Sequence, residues 1–396
     1  MRRLFPIVMT ALTMAVTMAG PTIAADPTLS LPTYTPAYEP RTVDERGLWM
    51  EADEEERLLR DSPLRIREGK LEQYVRDVLC REVGAERCQS VRVYVMEVPE
   101  FNASMLPNGC MRVLTGLLLR ARSEAELASV LGHEFGHFEL RHGLTGFKAE
   151  RRTKDRTAWL AILGAMSRTD ITDTRISLLA SFYRFTRDQE AAADQMGLRY
   201  MATSGYPART AAEVWRQAMA EQDASEIGHG RTPRHSYVSG YFDTHPTNLN
   251  RAMALEAAAA RMPGGGEARA DEYRAAIAPY LPRLLAAQIK TYDVGATDFI
   301  LASLAAQSGW TGELLFARAE LYRARGNPRD LQMASIWFRD ARAAGYAAPE
   351  LDRDLGLTLL RNGQADEARK ALNAYLAARP DASDATMIQT LVATEQ

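Results

Sequence analysis

His133-Glu134-Phe135-Gly136-His137 is the stretch around which this 396-residue chain is organised. Two imidazoles at i and i+4 share one face of a helix, where both can reach a single tetrahedral ion. A bare His-Glu-x-x-His arises by chance in on the order of one chain in a hundred, so its surroundings must support it. Ser123 and Glu126 form a Ser-x-x-Glu capping box, and Leu127, Val130, Leu131, Phe135 and Phe138 then recur at helical spacing. The pentapeptide is therefore predicted inside an amphipathic helix, with both histidines on one side.

Past an apolar stretch comes Glu190-Ala191-Ala192-Ala193-Asp194, within a second helix predicted over Arg187 to Leu198. Glu190 supplies a third ligand, and a carboxylate there leaves one coordination position open for water. Glu134, one residue past the first histidine, is placed to take a proton from that water. Asp194, one turn beyond Glu190, is placed to accept the N–H of a ligand histidine and fix its tautomer. The pattern points to metal-assisted hydrolysis with one Zn2+. His142 falls off the metal-facing side of an uninterrupted helix and is predicted as a helix-terminal cation, with Gly143 as the stop.

These residues, with others in order, resemble the HtpX/CAAX-protease-like zinc metallopeptidases, a gluzincin family. The further segments are Asn102-Ala103, Pro107-Asn108-Gly109, Thr115-Gly116-Leu117-Leu118, Arg141-His142, Gly205-Tyr206-Pro207 and Thr244-His245-Pro246, with Arg251 behind them. The absence of internal apolar spans and the C-terminal helical repeats make the chain similar to the soluble periplasmic, BepA-like branch. That resemblance implies a metalloendopeptidase of envelope quality control. It implies His245 as a fourth, regulatory ligand, and Arg251 as a group that stabilises the oxyanion or pairs with an acid. Two departures stand out. Cys110 follows the Pro-x-Gly turn directly, and Thr186-Arg187 replaces a serine-arginine pair.

The first 25 residues read as a secretory signal: Arg2 and Arg3, an apolar core from Leu4 to Ala19, then Thr22-Ile23-Ala24-Ala25. A periplasmic location follows as the expectation. Removing Arg2 and Arg3 takes the formal charge from −3 to −5, which gives no electrostatic reason to bind nucleic acid. With nucleic acid disfavoured by charge, polypeptides are the expected substrates, and no later apolar run reaches the ~18 residues of a membrane span. Of the three cysteines, Cys80 and Cys88 would close a short loop, stabilising by roughly 2.5 kcal/mol. That pairing is favoured, and pairings with Cys110 stay open.

Residues 26–43 read as an extended lead-in, and Asp44 to Val83 as helices behind a metallopeptidase domain spanning 44–262. Val91 to Met96 and Met111 to Thr115 have the period-two, β-branched character of strands, joined by a turn at Pro107 to Gly109. Asn102 and Ala103 are the expected substrate contact, since an edge strand can pair with an extended peptide. Glu221 to Asp243 reads as a flexible lid. Residues 263–284, opening on Pro263-Gly264-Gly265-Gly266, read as a linker and connecting helix.

In the C-terminal part, Ala334, Phe338 and Ala341 recur as Ala368, Leu372 and Tyr375, each 34 residues on. Ala319, Tyr322 and Gly326 recur as Gly356, Leu359 and Gly363, with three extra residues expected in the loop at Asn327 to Asp330. This resembles tetratricopeptide repeats over residues 285–396. The expected fold is mainly α (α+β): a zincin-like domain with a small sheet, then the helical repeats. The repeats offer a surface for outer-membrane assembly machinery. The rival function is a chaperone or assembly factor that works chiefly through them.

Overall fold

The computed structural model describes residues 31–34, 38–153, 185–235, 249–262 and 265–394. The predicted signal segment, His245 and most of the Thr244-His245-Pro246 neighbourhood lie outside them.

Period-two alternation builds a three-layer sandwich. Strands β1 (Arg92–Met96), β2 (Ala103–Met105) and β3 (Cys110–Leu114) are ordered β1-β3-β2, with β1 parallel and β2 antiparallel to β3. Val93, Val95, Ala103, Met105, Met111 and Val113 point into the main core. Their neighbours Tyr94, Met96, Cys110 and Leu114 point the other way, onto Ala52 and Leu59 of helix α1 (Val43–Asp61). The Pro107 to Gly109 turn, expected between the two strands legible in the sequence, instead joins β3 to β2, a three-residue Ala-Ser-Met strand with no β-branched residue to signal it. Arg65 bridges to Met96 on the outer side of β1, whereas the outer side of β2 carries no strand among the described residues.

Helix α2 (Gly69–Val83) covers the core face of the sheet, and a disulfide ties its Cys80 to Cys88 in the short α3 (Ala85–Cys88). Cys110 is a free, buried thiol that burial pushes up to about 12. Helix α4 (Thr115–Arg120) leads into α5 (Glu124–Glu139), the helix of the pentapeptide. Ser123 Oγ accepts the Glu126 N–H, but the Glu126 carboxylate takes the Arg122 N–H rather than that of Ser123, so the capping box is half formed.

After α6 (His142–Thr153), α7 (Arg187–Ser204) opens with a full capping box of Thr186 and Gln189 and ends at Gly205, in the left-handed region at φ 82°. Helices α8 (Thr210–Gly228) and α9 (Leu249–Ala259) complete the surroundings of α5 and α7. Residues Glu221 to Gly228, expected from the sequence to be part of a lid, are the last turns of α8. A Cβ on Gly228 would lie 2.6 Å from Gly295 Cα, so this end is pressed against the next helical layer.

Among the described residues, that layer is hydrogen-bonded to α5 and to Gly205 from its start. Ala268 and Arg269 carbonyls accept the Ala125 and Glu124 N–H groups at the start of α5, and Glu267 N–H donates to Gly205. Helices α10 (Ala270–Ile277), α11 (Leu281–Ile289) and α12 (Val294–Ser308) then share one core with the sheet, through Leu284, Leu285, Ile300 and Leu301. Two hairpins follow: α13 (Gly312–Arg325) with α14 (Pro328–Ala343), and α15 (Glu350–Arg361) with α16 (Ala365–Ala378), then α17 (Ala385–Thr394). Gly326 and Gly363 occupy equivalent turns, both at φ 73°. The three extra residues lengthen the first turn of α14, where Asn327 caps Asp330, instead of enlarging a loop. Among the described residues no helix is long and apolar enough to cross a membrane.

Candidate metal centre

Two close helix crossings assemble the centre. Gly136 of α5 lies against Ala193 of α7, and a Cβ there would sit 3.1 Å from the Ala193 carbonyl oxygen. Gly197 packs in turn on the backbone of His133, leaving room for a Cβ at 3.4 Å from its nitrogen. Small residues at these points bring the two axes together and deliver Glu190 to the histidine face of α5.

The result is a buried cluster of His133, His137 and Glu190, one potential ligand atom from each lying within 4.8 Å of the others. His133 Nε2 and His137 Nε2 are 3.1 Å apart, His133 Nε2 to Glu190 Oε2 is 3.5 Å and His137 Nε2 to Glu190 Oε1 is 3.7 Å. Tetrahedral bonds of the usual length place donor atoms about 3.4 Å apart. The three donors therefore fit one small divalent ion with little adjustment. Glu134 is 2 % exposed on the same turn as His133.

Each histidine has a different outer partner. Asp194 Oδ1 stands 3.0 Å from His133 Nδ1. Burial opposes a charge on His133, but Asp194 and Glu190 outweigh it and raise the imidazole to about 9, so proton and metal compete for the ring. Burial alone would likewise raise Asp194, yet Arg251 and His133 hold it below the usual carboxylate range. Arg251, on α9, forms a fork to Asp194, with Nε at 2.7 Å and Nη2 at 2.8 Å, while its Nη1 lies 2.7 Å from Glu190 Oε2. Its guanidinium lies 4.8 Å from the centre of the Trp215 ring, which also meets His133 edge-on.

His137 is held otherwise. Its Nδ1 is 2.9 Å from Nδ1 of His142, and Phe185 stacks on its ring at 3.8 Å. Helical spacing predicts His142 at the end of the pentapeptide's helix as a C-terminal cation, with Gly143 as the stop. The helix breaks two residues earlier: Leu140 caps α5, Arg141 turns through φ 57°, and α6 starts at His142. His142 is 8 % exposed, and burial pulls it down to about 4, so it is neutral in neutral solution.

The remaining candidate residues that can be placed are spread more widely. Asn102 leads into β2, its carbonyl accepting the Leu114 N–H, and Ala103 begins the strand. Two further histidines, His229 and His235, are exposed, His229 against the Ser225 carbonyl and His235 beside Asp223. Trp215, Phe185 and the ring contact of His142 carry no signal in the sequence, because each depends on a tertiary crossing.

Residues 65–259 match Peptidase family M48. Over 169 residues the chain is 32% identical to the mitochondrial metalloendopeptidase OMA1 of Arabidopsis thaliana, covering 42% of this chain and 31% of that one. It is 30% identical over 172 residues to the metalloprotease LoiP of Escherichia coli (strain K12), covering 42% and 62%. It is 28% identical over 199 residues to a putative beta-barrel assembly-enhancing protease of Vibrio cholerae, covering 48% and 41%. The chain thus spans well short of the full length of these relatives. On the family match and the centre together, residues 65–259 are similar to peptidase family M48.

Proposed function

From that similarity and the geometry of the centre we propose that the chain is a zinc metalloendopeptidase of the periplasm, acting on polypeptides in quality control of envelope or outer-membrane proteins. The observation that carries the reading is the convergence of His133, His137 and Glu190 to distances that suit one ion, with Glu134 on the same helix face.

When bound, zinc would supply Lewis acidity to water and to the scissile carbonyl. His133, His137 and Glu190 would hold it. Glu134 takes the proton of the attacking water and passes it to the leaving amine. Asp194 keeps His133 in the tautomer whose Nε2 faces the centre. Arg251, bound to two carboxylates, serves as their counter-ion, a reading its contacts support better than an oxyanion role. The outer side of β2, entered through Asn102 and Ala103, is where an extended substrate pairs. His245 remains the candidate fourth ligand that gates the site.

A second reading has its own support. The hairpins and α11 line an open cavity of about 420 Å³, with Phe316 and Tyr346 stacked on its wall and Glu320 and Arg323 beside them. A chaperone or assembly role would use this surface, and the tetratricopeptide-like part would then dock outer-membrane assembly machinery.

The test is Glu134→Gln. It is expected to keep stoichiometric zinc while losing about a hundred- to ten-thousand-fold in turnover of an unfolded polypeptide. Undiminished turnover would refute the peptidase reading. Full complementation of an envelope defect by the same variant, with failure on deletion of residues 285–396, would favour the binding role.

A further inference from the structure

We propose that His142 is a positioning residue of the metal centre, the neutral acceptor that fixes the tautomer of His137 as Asp194 fixes that of His133. The inference rests on the metal-centre reading above and extends it to a residue outside the ligand set.

The geometry is specific. His137 directs Nε2 toward His133 and Glu190, at 3.1 and 3.7 Å. An imidazole that gives Nε2 to a metal carries its proton on Nδ1 and must donate it. Among the described residues, Nδ1 of His142 is within reach on that side, at 2.9 Å. Two Nδ1 atoms at that distance share a single proton. If it belongs to His137, His142 accepts through Nδ1 and keeps its own proton on Nε2.

The backbone is arranged to bring this about. On a continuous helix residue 142 would stand about 140° around the axis and a turn and a half beyond His137, out of reach of its ring. Arg141 instead adopts φ 57°, a conformation that L residues other than glycine seldom take, and the chain folds back to start α6 at His142. Arg141 lies over the Tyr38 ring at 4.7 Å. The His142 carbonyl accepts from Gln189 Nε2 at 3.4 Å, so the helix that brings Glu190 also steadies His142. Phe185 covers both rings, stacked on His137 and 6.1 Å from His142.

The experiment uses the full chain and zinc, with affinity read by chelator competition. His142→Leu removes the acceptor, and His142→Asn replaces Nδ1 by an amide oxygen at the same point along the side chain. Zinc affinity is expected to fall about 10- to 100-fold in His142→Leu and to return to within about threefold of the unmodified protein in His142→Asn. His142→Leu binding as tightly as the unmodified protein would overturn the proposal. So would His142→Asn binding as weakly as His142→Leu, because shape and not the acceptor would then matter. Long-range proton–nitrogen spectra of the zinc-loaded, histidine-labelled protein give a check without any variant. The expected pattern is His137 protonated on Nδ1 and His142 on Nε2, and a proton on His142 Nδ1 would refute the assignment. If the unmodified protein takes up no stoichiometric zinc, the metal centre itself fails, an outcome distinct from these.

Discussion

Toward α7, helix α5 faces two carboxylates, Glu190 and Asp194, which share the guanidinium of Arg251 and stand beside the rings of His133 and His137. Toward α2 it faces one, Glu82, which is 2 % exposed and whose two oxygens have no hydrogen-bond partner among the described residues. Both sides bury acid, and the outcomes are opposite. Asp194 is held below the usual carboxylate range, whereas burial pushes Glu82 well above it. A buried charge persists where an opposite charge and a geometry to match it are supplied, and otherwise the group takes up a proton. The α7 side can therefore present negative charge to a cation. The α2 side is neutral packing.

The largest effect should come from unbalancing the charged side. Arg251→Met leaves Asp194 and Glu190 with the protonated His133 ring as their remaining cation, and loss of one partner from a buried ionic cluster costs up to about 3–5 kcal/mol. Urea unfolding in the presence of a chelator should show that loss, and saturating zinc should recover part of it because the metal then supplies positive charge to Glu190. A variant within about 1 kcal/mol of the unmodified protein under chelation would mean that the two sides do not differ in the way described.

On the neutral side the expected effect is steric. A Cβ on Gly132 would fall 2.2 Å from Glu82 Oε1. Gly132→Ala should destabilise by about 1–3 kcal/mol through overpacking, despite alanine's better helix propensity. Glu82→Ala opens space at the same point, so the double variant should be more stable than the sum of the two single losses by about 0.5–3 kcal/mol. Strict additivity would show that Gly132 is not constrained by this contact.

The charged side is far more legible in the sequence than the neutral one. His133, Glu134, His137, Glu190 and Asp194 are set by helical spacing within two short segments, and helical spacing survives without knowledge of tertiary structure. The alternation of Val93, Tyr94, Val95 and Met96 likewise shows the faces of β1, and the 34-residue recurrence shows the paired helices of the C-terminal part. Arg251 is visible only through a family likeness, and its partners depend on how α9 crosses α7. His142 is misplaced by helical spacing because its position turns on one left-handed residue, Arg141, and arginine carries no signal for that conformation. Glu82 sits on the buried stripe of Leu71, Val75, Val78 and Leu79, one turn on from Val78. Between Arg81 and Val83 it reads as part of a solvated, charged helix end, and only the position of Gly132 opposite shows that there is room for a carboxyl in the core.

That burial gives the comparison its finest test, the pH dependence of Glu82→Gln. The folded state holds the Glu82 proton more tightly than the unfolded chain, whose value is near 4.5. Between that value and the raised folded one, the folded state binds one proton more, so stability falls as pH rises through the window. Below about pH 4 both states are protonated and the contribution of Glu82 levels off. Glutamine has no proton to release, and the variant should match the unmodified protein near pH 4 and become progressively more stable than it toward pH 8. Glu126, which burial raises to about 7, contributes with the same sign, but it is present in both proteins and cancels in their difference. Parallel stability curves across this range would show that Glu82 is ionised in the fold, and the two sides of α5 would then bury their acids alike.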